Sequence, residues 1–267
     1  MISWDHFIYF ATLSVALWSL GAWFAFKNKR VTAFTTTAFG LVVFLGFIVL
    51  LWSSLERPPL RTMGETRLWY SFFVVLTDLL VYSRWKYRWI LTFSTVLSLV
   101  FICVNLFNPE LHSKTLMPAL QSAWFVPHVI VYMFAYAVLG ASAVMALYLL
   151  VFRKGGSRDE ELGITDNLVY VGLSFLTFGM LFGALWAKEA WGHYWSWDPK
   201  ETWAAITWLA YLVYVHYRRI LGHRPRRALV VLLISFILLQ MCWWGINYLP
   251  SAQETSVHTY GGVEINV

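Results

Sequence analysis

The sequence has little charge, because only 13% of its 267 residues are Asp, Glu, Lys or Arg, against roughly 25% in typical soluble domains. Hydrophobic residues make up 59% and aromatic residues 19%. This shortage of charge excludes an ordinary soluble protein. The net charge is +6, but the basic residues interrupt long apolar runs instead of gathering on one polar surface, which argues against nucleic-acid binding. The composition therefore indicates a membrane protein with its charges in loops.

Cysteine is also scarce. Cys103 and Cys242 both lie in apolar runs, which is typical of small buried hydrophobes and not of a disulfide framework. No C-x-x-C-H segment occurs, so the sequence lacks the usual attachment site for a covalent haem. The basic start of a signal peptide is missing as well, because Lys27, Lys29 and Arg30 follow the first apolar stretch. We therefore expect that stretch to be a retained helix.

Long apolar runs, in contrast, are abundant. A hydrocarbon core of about 30 Å requires about 20 apolar residues per helix, and eight segments approach that length. The expected fold is an all-α polytopic membrane protein with about eight transmembrane helices, forming a single integral membrane domain over residues 1–267. The segments run over 5–26, 32–52, 67–83, 88–107, 127–152, 166–188, 203–217 and 227–248.

The basic residues divide the loops into two sets, because alternate loops hold most of the Lys and Arg and the opposite set holds few. Lys and Arg are retained on the cytoplasmic side of short loops. This pattern predicts that both termini lie outside. It assigns three features to the same outer face: His128 at the start of span five, the tryptophan-rich loop 186–203 between helices six and seven, and the tail 250–267.

The composition of the loop 186–203 is unusual for a solvated loop. Its density of tryptophan suggests a flat apolar ligand, although an aromatic belt at the membrane interface would also place tryptophans here. The run Asp198-Pro199-Lys200-Glu201 is typical of a helix start, with Asp as N-cap, Pro at the first helical position and Glu three residues after the cap. Capping alone therefore accounts for those four residues.

Histidines are the second feature, since neutral imidazole coordinates iron and two imidazoles can hold both axial positions of a haem. His128 follows Trp124 at the outer end of span five, and His258 lies in the outer tail, so these two histidines are candidates to flank the loop. His216 lies nearer the cytoplasmic end of span seven. It is either a site within the membrane or a boundary residue among lipid headgroups. His193, inside the loop, is a secondary candidate.

Two acidic residues lie near or within span three. A charged Asp78 at mid-bilayer would cost about 2.5–3.5 kcal/mol. We therefore expect it to have a partner, for which Arg84 is the candidate by snorkelling. Glu65 lies on the outer side, where it either ends a helix or lines the outer surface.

The run WGHYWSWDPKETW, from Trp191 to Trp203, closely resembles the tryptophan-rich WWD signature of haem-handling proteins in c-type cytochrome biogenesis. The Pro-Lys-Glu continuation and the later histidine in Tyr214-Val215-His216-Tyr217-Arg218 are similar to the CcsA (ResC) branch of system II cytochrome c synthases. The related CcmC branch typically lacks both features. The resemblance covers most of the chain, most specifically 124–136, 186–218 and 247–261.

This resemblance implies a component of a holocytochrome c synthase, or haem lyase, that binds haem b as substrate and holds iron only through haem. His128 and His258 would be the outer axial ligands, and His216 the ligand within the membrane. The implied partners are a CcsB (ResB) membrane subunit and an apocytochrome c with a C-x-x-C-H motif. The implied location is a bacterial inner membrane or its thylakoid equivalent, with the active site on the periplasmic face. The haem-binding loop would comprise Trp191, Gly192, Trp195, Trp197, Asp198, Lys200 and Glu201, with Trp124, His193 and Trp203 as secondary positions.

Three other functions are weighed against this one. A haem carrier of the CcmC type would bind haem without attaching it. A b-type electron-transfer cytochrome would need pairs of histidines at matched depths within the spans, but only His216 is clearly within one. A channel or transporter with an ordinary aromatic belt would bind no haem.

Overall fold

The computed structural model describes residues 2–112, 122–152, 159–220 and 225–248. Six of the eight α-helices in these ranges, all except α3 and α7, are long and apolar enough to cross a membrane. The protein is therefore an all-α polytopic membrane protein, as the sequence predicts. The helices are α1 (Phe7–Phe26), α2 (Arg30–Leu55), α3 (Met63–Trp85), α4 (Arg88–Phe107), α5 (Phe125–Val151), α6 (Asp159–Trp191), α7 (Pro199–Ile220) and α8 (Pro225–Trp243).

The helices α3 and α7 are longer than the spans predicted for them, 67–83 and 203–217. They have 23 and 22 residues, which suffices for a core of about 30 Å at about 1.5 Å per residue. Their polar content, rather than their length, separates them from the other six. α3, for example, carries Glu65, Arg67 and Asp78. That these two helices cross the membrane stays a prediction.

The boundaries of α6 and α8 differ from the predicted ones. α6 begins before residue 166, because the acidic residues Asp159, Glu160 and Glu161 in its first turn offset the partial positive charge of a helix N-terminus. It also continues as far as Trp191, which shortens the loop that follows. α8 ends before residue 248 and is followed by a 3₁₀ turn at Gly245–Tyr248.

The chain divides into two compact units, Met1–Thr115 and Leu116–Val267. Unit 1 contains α1 to α4, and unit 2 contains α5 to α8. Each unit is built from helices that pack against their neighbours in the sequence, with additional packing of α1 on α4 and of α5 on α8. The expectation of one integral membrane domain stays a prediction.

In unit 1, the start of α3 is fixed by a capping box. The Thr62 Oγ1 accepts the Glu65 N–H at 3.1 Å, and Glu65 Oε2 accepts the Thr62 N–H at 3.1 Å. The same carboxylate pairs with the Arg57 guanidinium at 2.8 Å and is almost fully buried. Of the two interpretations of Glu65, the structure therefore supports the helix-end role.

Asp78 has no ion pair with any residue that the structure describes. Its side chain is 1% exposed, and its Oδ2 has no hydrogen-bond partner. The predicted partner Arg84 is exposed and its guanidinium lies 5.7 Å from the centroid of the Trp85 ring. The expectation of an Asp78–Arg84 pair is wrong, because six residues rotate the helix by about 240° and direct the two side chains to different sides.

In unit 2, glycines bring α6 close to α5. A Cβ added at Gly172 would lie 2.6 Å from Leu139 Cγ, and one added at Gly179 would lie 2.7 Å from a ring carbon of Tyr132. Neither site has room for a larger side chain. These small residues allow the two helix backbones to approach each other, which is a common way of packing helices in membranes.

The other two helices of unit 2 close the bundle through aromatic contacts. Trp243 of α8 meets Tyr136 of α5 with ring centroids 5.6 Å apart. The indole N–H of Trp208 on α7 donates to Thr177 Oγ1 on α6 at 2.9 Å. The start of α5, the end of α6 and the start of α7 carry the residues of the candidate site.

Candidate functional site

His128 lies in the first turn of α5, and α6 holds its imidazole. Its Nδ1 lies 2.8 Å from the carbonyl oxygen of Gly179. A carbonyl only accepts hydrogen bonds, so Nδ1 carries the hydrogen and the lone pair of the neutral ring is on Nε2. Metal-binding histidines are commonly fixed in this way by a backbone carbonyl on the second ring nitrogen. This geometry suits His128 Nε2 to coordinate iron.

Gly183, one turn after Gly179, leaves the space that the imidazole fills. A Cβ at Gly183 would lie 2.7 Å from Cε1 and 2.8 Å from Nδ1 of His128. These two glycines are not among the site residues predicted above. Their spacing, G-x-x-x-G, is nevertheless the sequence signal for close packing of membrane helices, and it predicts that another helix approaches α6 at this point.

An aromatic row connects His128 to the end of α6. The imidazole stacks on Trp186 with ring centroids 5.6 Å apart, and Trp186 meets Trp191 edge-on at 4.8 Å. Trp124, before α5, stacks on Phe182 at 5.9 Å. The predicted residues His128, Trp124 and Trp191 therefore all belong to the same end of the α5–α6 pair.

The loop between α6 and α7 covers residues 192–198 and not 186–203, because Trp186 and Trp191 belong to α6 and Trp203 belongs to α7. Gly192 ends α6 in the left-handed region, with φ of +84°, and its N–H donates to the Lys188 carbonyl at 3.0 Å. The Lys188 ammonium in turn donates to the Gly192 carbonyl at 2.7 Å.

Asp198 and Glu201 cap α7, as their spacing predicts. Asp198 Oδ1 accepts the Glu201 N–H at 2.8 Å, and Glu201 Oε2 accepts the Asp198 N–H at 3.3 Å. Glu201 Oε2 also accepts the Ser196 N–H at 2.7 Å. Both carboxylates therefore fix the backbone of the loop through these hydrogen bonds. Lys200 lies beside them, and its carbonyl oxygen is 3.9 Å from Cys242 Sγ on α8.

The loop exposes aromatic side chains on the surface of the protein. Trp197 is 70% exposed and has φ of +60°, a left-handed conformation that is strained for a bulky side chain. It meets Trp195 edge-on at 5.7 Å, and the indole Nε1 of Trp195 is buried without a hydrogen-bond partner. His193 and Tyr194 are exposed beside them. The loop thus combines an apolar surface with one unsatisfied donor.

His216 lies far from this loop along α7. It follows Pro199 by 17 residues, which corresponds to about 25 Å of helix. Its side chain is exposed, and its Nδ1 donates to the Leu212 carbonyl at 2.9 Å, so its Nε2 also carries the lone pair. The structure therefore places His216 at the opposite end of α7 from the tryptophan-rich loop.

An acidic residue that the sequence does not single out fixes the helix around His216. Asp166 on α6 accepts three hydrogen bonds from the Arg218 guanidinium, the shortest at 2.6 Å, and one from the Tyr214 hydroxyl at 2.6 Å. Tyr214 and Arg218 therefore face α6. His216 is two residues from each, about 200° around the helix, and faces away from α6.

The predicted second outer ligand, His258, and the tail 250–267 lie outside the described residues. The pairing of His258 with His128 stays a prediction.

Comparison with known proteins identifies the family of the chain. The model of the family described as cytochrome C assembly protein matches residues 61–252, which is more than half of the chain. The chain belongs to this family. The matched range begins just before α3 and includes all of unit 2 that the structure describes.

Cytochrome c assembly proteins of the CcsA type are similar to this chain over most of its length. The "Cytochrome c biogenesis protein CcsA" of Synechococcus sp. (strain CC9902) is 31% identical over 93% of this chain and 91% of its own. The protein with the same description from Mesostigma viride is 31% identical over 88% of each chain. The chain is therefore a CcsA-type member of the cytochrome c assembly family.

A solved structure shares the fold of this family member. The "Cytochrome c Heme Lyase CcmF" superposes with a TM-score of 0.68 over 89% of this chain, at 17% sequence identity. The chain spans 46% of the length of that protein. At this identity the likeness concerns the fold alone.

Proposed function

We propose that this chain binds haem b as substrate at the outer face of the membrane and presents it to the C-x-x-C-H segment of an apocytochrome c. The observation that carries the proposal is the seat of His128, whose Nδ1–H donates to the Gly179 carbonyl and whose Nε2 carries the lone pair. Membership in the cytochrome c assembly family supports the same function. His258 would supply the second axial ligand.

The tryptophan-rich loop would hold the flat faces and edges of the porphyrin. Trp197 offers an exposed indole, and Trp191 continues the aromatic row that begins at His128. The unsatisfied Nε1–H of Trp195 suits an acceptor such as a haem propionate. Asp198 and Glu201 would act indirectly, since their carboxylates hold the loop in shape.

Attachment would join each cysteine of the apocytochrome to a haem vinyl group. The thiol sulfur bonds to the vinyl carbon next to the ring, and the thiol proton ends on the terminal carbon, which becomes a methyl group. No oxidant is consumed, but the cysteines must be reduced because the thiolate is the reactive form. The histidine of the C-x-x-C-H motif would then replace one of the two histidines of the synthase. The contribution of this chain would be to hold the reacting groups in register.

His216 would receive haem on its way outward, together with a CcsB-type membrane subunit. The exposed face of α7 supports this role. It carries His216 among exposed apolar side chains at helical spacing, and Tyr214 and Arg218 direct it away from α6. A lone imidazole on an apolar face suits a site that a partner completes. The exposed apolar members are Ile206, Leu209, Val213 and Ile220.

The location that fits these assignments is a bacterial inner membrane or a thylakoid membrane. Six helices can cross the bilayer, and the relatives include proteins from Synechococcus sp. (strain CC9902) and from Mesostigma viride. The active site would lie on the periplasmic or lumenal side.

Absorption spectra of the chain, purified with a CcsB-type partner from haem-replete cells, test the haem site. We expect a Soret band that weakens in His128→Ala and returns when imidazole is added. His6→Ala, which changes a histidine of unit 1, is the matched control and should leave the band unchanged. A parent protein without haem would overturn the proposal, and a band unaffected by His128→Ala would remove His128 from the iron.

A second measurement separates attachment from simple carriage. The chain and its partner are expressed with an apocytochrome c in cells that lack other cytochrome c synthases, and covalent haem is detected after denaturation. We expect covalent product with the parent pair and none when the partner is omitted. Haem-loaded protein without covalent product would indicate a carrier without ligase activity.

A further inference from the structure

A row of buried polar groups follows the contact between α3 and α4 in unit 1. The Asn105 side-chain amide donates to the Gly64 carbonyl at 3.0 Å, and the Ser98 hydroxyl donates to the Ser71 carbonyl at 3.0 Å. Both bonds join α3 to α4. The two pairs are seven residues apart on each helix, so their members share one face of each helix. We call this row the α3–α4 polar seam.

Asp78 continues the seam on α3. It follows Ser71 by seven residues, and a straight helix drifts by only about 20° over that distance. Its side chain is 1% exposed, and its Oδ2 has no hydrogen-bond partner. Buried polar atoms are normally satisfied, so an orphaned carboxyl oxygen points to a group that protein atoms alone do not supply.

The charges around Asp78 do not favour an ionised carboxylate. On α3 itself, Arg84 and Lys86 near the end of the helix are exposed, Glu65 is paired with Arg57 at its start, and the buried Arg67 lies eleven residues before Asp78, about 16 Å along the helix. The buried hydroxyl of Tyr70, on the same helix, also interacts with Asp78, and an ordinary phenol is neutral at neutral pH. The neighbouring helices α2 and α4 carry their arginines, Arg30 and Arg88, at their first residues, where both interact with Tyr82, one helical turn after Asp78.

The cost of an unpaired charge decides whether the Asp78 carboxyl group is ionised or protonated. An ionised carboxylate that is buried without a partner is strongly disfavoured relative to the neutral acid. Protonation removes that cost and converts one oxygen into a donor. The seam also provides a second unsatisfied atom, Oδ1 of Asn105, which is buried without a partner at the end of the seam near Gly64. Such atoms are places where water binds.

We infer that Asp78 is a proton-binding site: a neutral carboxylic acid in the interior of unit 1 that exchanges its proton along the α3–α4 polar seam. The proton enters from the end of the seam marked by Asn105 and Gly64 and passes the Ser71–Ser98 pair. The site contains none of the proposed haem ligands, because His128 and His216 both belong to unit 2. Its test can therefore fail or succeed without deciding the proposed function.

Infrared difference spectroscopy on the full chain in lipid tests the protonation state directly. Aspartate labelled with ¹³C shifts the carbonyl stretch of a protonated side chain, and we expect such a band at neutral pH in the parent. Asp78→Asn should remove it. The matched control is Asp166→Asn, which removes a carboxylate paired with Arg218 and should leave the band in place. The inference would be overturned if the parent showed no band of a protonated aspartate, or if the band survived in Asp78→Asn.

The route is tested by hydrogen exchange of the same band. On transfer to D₂O the acid stretch of the parent should shift as the proton is replaced. Ser98→Ala removes the hydroxyl that bridges the seam, and we expect the shift to slow at least severalfold with the band intensity unchanged. Ser83→Ala, an exposed serine of α3, is the control. Equal exchange rates in Ser98→Ala and the parent would exclude the seam as the route.

Discussion

At the scale of the residue, the imidazole of His128 depends on the absence of a side chain at Gly183. Gly183→Ala would add a methyl group 2.7 Å from His128 Cε1, so the ring must move and its bond to the Gly179 carbonyl must break. Loss of such a supporting bond typically lowers metal affinity by about 10- to 100-fold. We expect haem affinity to fall by that factor, measured by titration of the purified complex.

The matched control for this change is Gly163→Ala on the same helix. A Cβ at Gly163 would meet nothing within 4 Å, and Ala stabilises a helix interior by up to about 1 kcal/mol relative to Gly. Gly163→Ala should therefore keep full haem affinity. If Gly183→Ala binds haem as well as Gly163→Ala does, the position of the imidazole does not control haem binding.

Variants of Trp197 distinguish the contribution of this residue to stability from its contribution to haem affinity. Its left-handed φ of +60° costs about 1–2 kcal/mol in a residue with a Cβ. Its indole is 70% exposed and contributes little burial. Trp197→Gly should therefore leave the thermal midpoint unchanged or raise it, while haem affinity falls because the exposed ring is gone. Scanning calorimetry and haem titration measure the two effects.

Trp197→Phe is the companion variant, because it keeps a flat ring and the strained backbone. It should retain most of the haem affinity and unfold at the same thermal midpoint as the parent. A lower midpoint in Trp197→Gly would show that the indole supports the fold, and the role proposed for its exposed surface would lose its basis.

At the scale of the element, one ionic cluster joins the ends of α6 and α7. Asp166 bonds to both Arg218 and Tyr214, and the Asp166 and Arg218 side chains are each 14% exposed. Hydrogen bonds to charged groups contribute about 1.5–3 kcal/mol, so Asp166→Asn should lower the free energy of unfolding by that amount. Denaturant titration in mild detergent, with hydrogen exchange along α7, measures the loss.

Two further variants show whether the charge or the hydrogen bonds matter. Tyr214→Phe keeps the ion pair and should cost about 1 kcal/mol. Arg218→Met added to Asp166→Asn should recover part of the loss, because it removes the uncompensated buried charge. Equal stability of Asp166→Asn and the parent would mean that the cluster does not hold the two helices together.

The same elements show how far the sequence could predict the structure. Apolar runs of membrane length predict all eight helices, and the spacing of Asp198 and Glu201 predicts the cap that starts α7. Both signals are local, since they depend on residues within one helix or one turn. The start of the loop at Gly192 could not be predicted as well, because the run from Trp186 to Trp191 is compatible with either loop or helix.

Contacts between helices could not be predicted in the same way. Asp166 and Arg218 are separated by 52 positions, and no periodicity in either helix indicates that they meet. Proximity in the sequence favours Arg84 as the partner of Asp78, but the helical rotation between the two residues separates their side chains. The position of the His128 ring could be predicted only in part. The G-x-x-x-G pattern at Gly179 and Gly183 predicts a close helix neighbour but not which residue fills the space.

At the scale of the whole molecule, the family match and the helical units do not coincide. The cytochrome c assembly match begins at residue 61 and therefore includes α3 and α4 but not α1 and α2. Unit 1 contains all four of these helices. The polar seam with Asp78 thus lies within the matched part, whereas the first two helices add an apolar pair that packs beside it.

Orientation in the membrane is the prediction that belongs to this scale. The basic loops should be cytoplasmic, and the loop with His193 should face outside. In a chain whose own two cysteines are replaced, we introduce His193→Cys or Lys29→Cys, both at exposed positions outside the apolar spans. A maleimide that cannot cross membranes should label position 193 in intact cells. Position 29 should react only after the cells are permeabilised.

The two positions control for each other, because each must react fully once the membrane is opened. Their contrast tests more than topology. If position 29 is labelled in intact cells and position 193 is not, the tryptophan-rich loop and His128 would lie on the cytoplasmic side. The chain could then not meet apocytochromes on the outer face. Labelling of only position 193 would put the loop on the face where thioether attachment is proposed, about 25 Å along α7 from the end that carries His216.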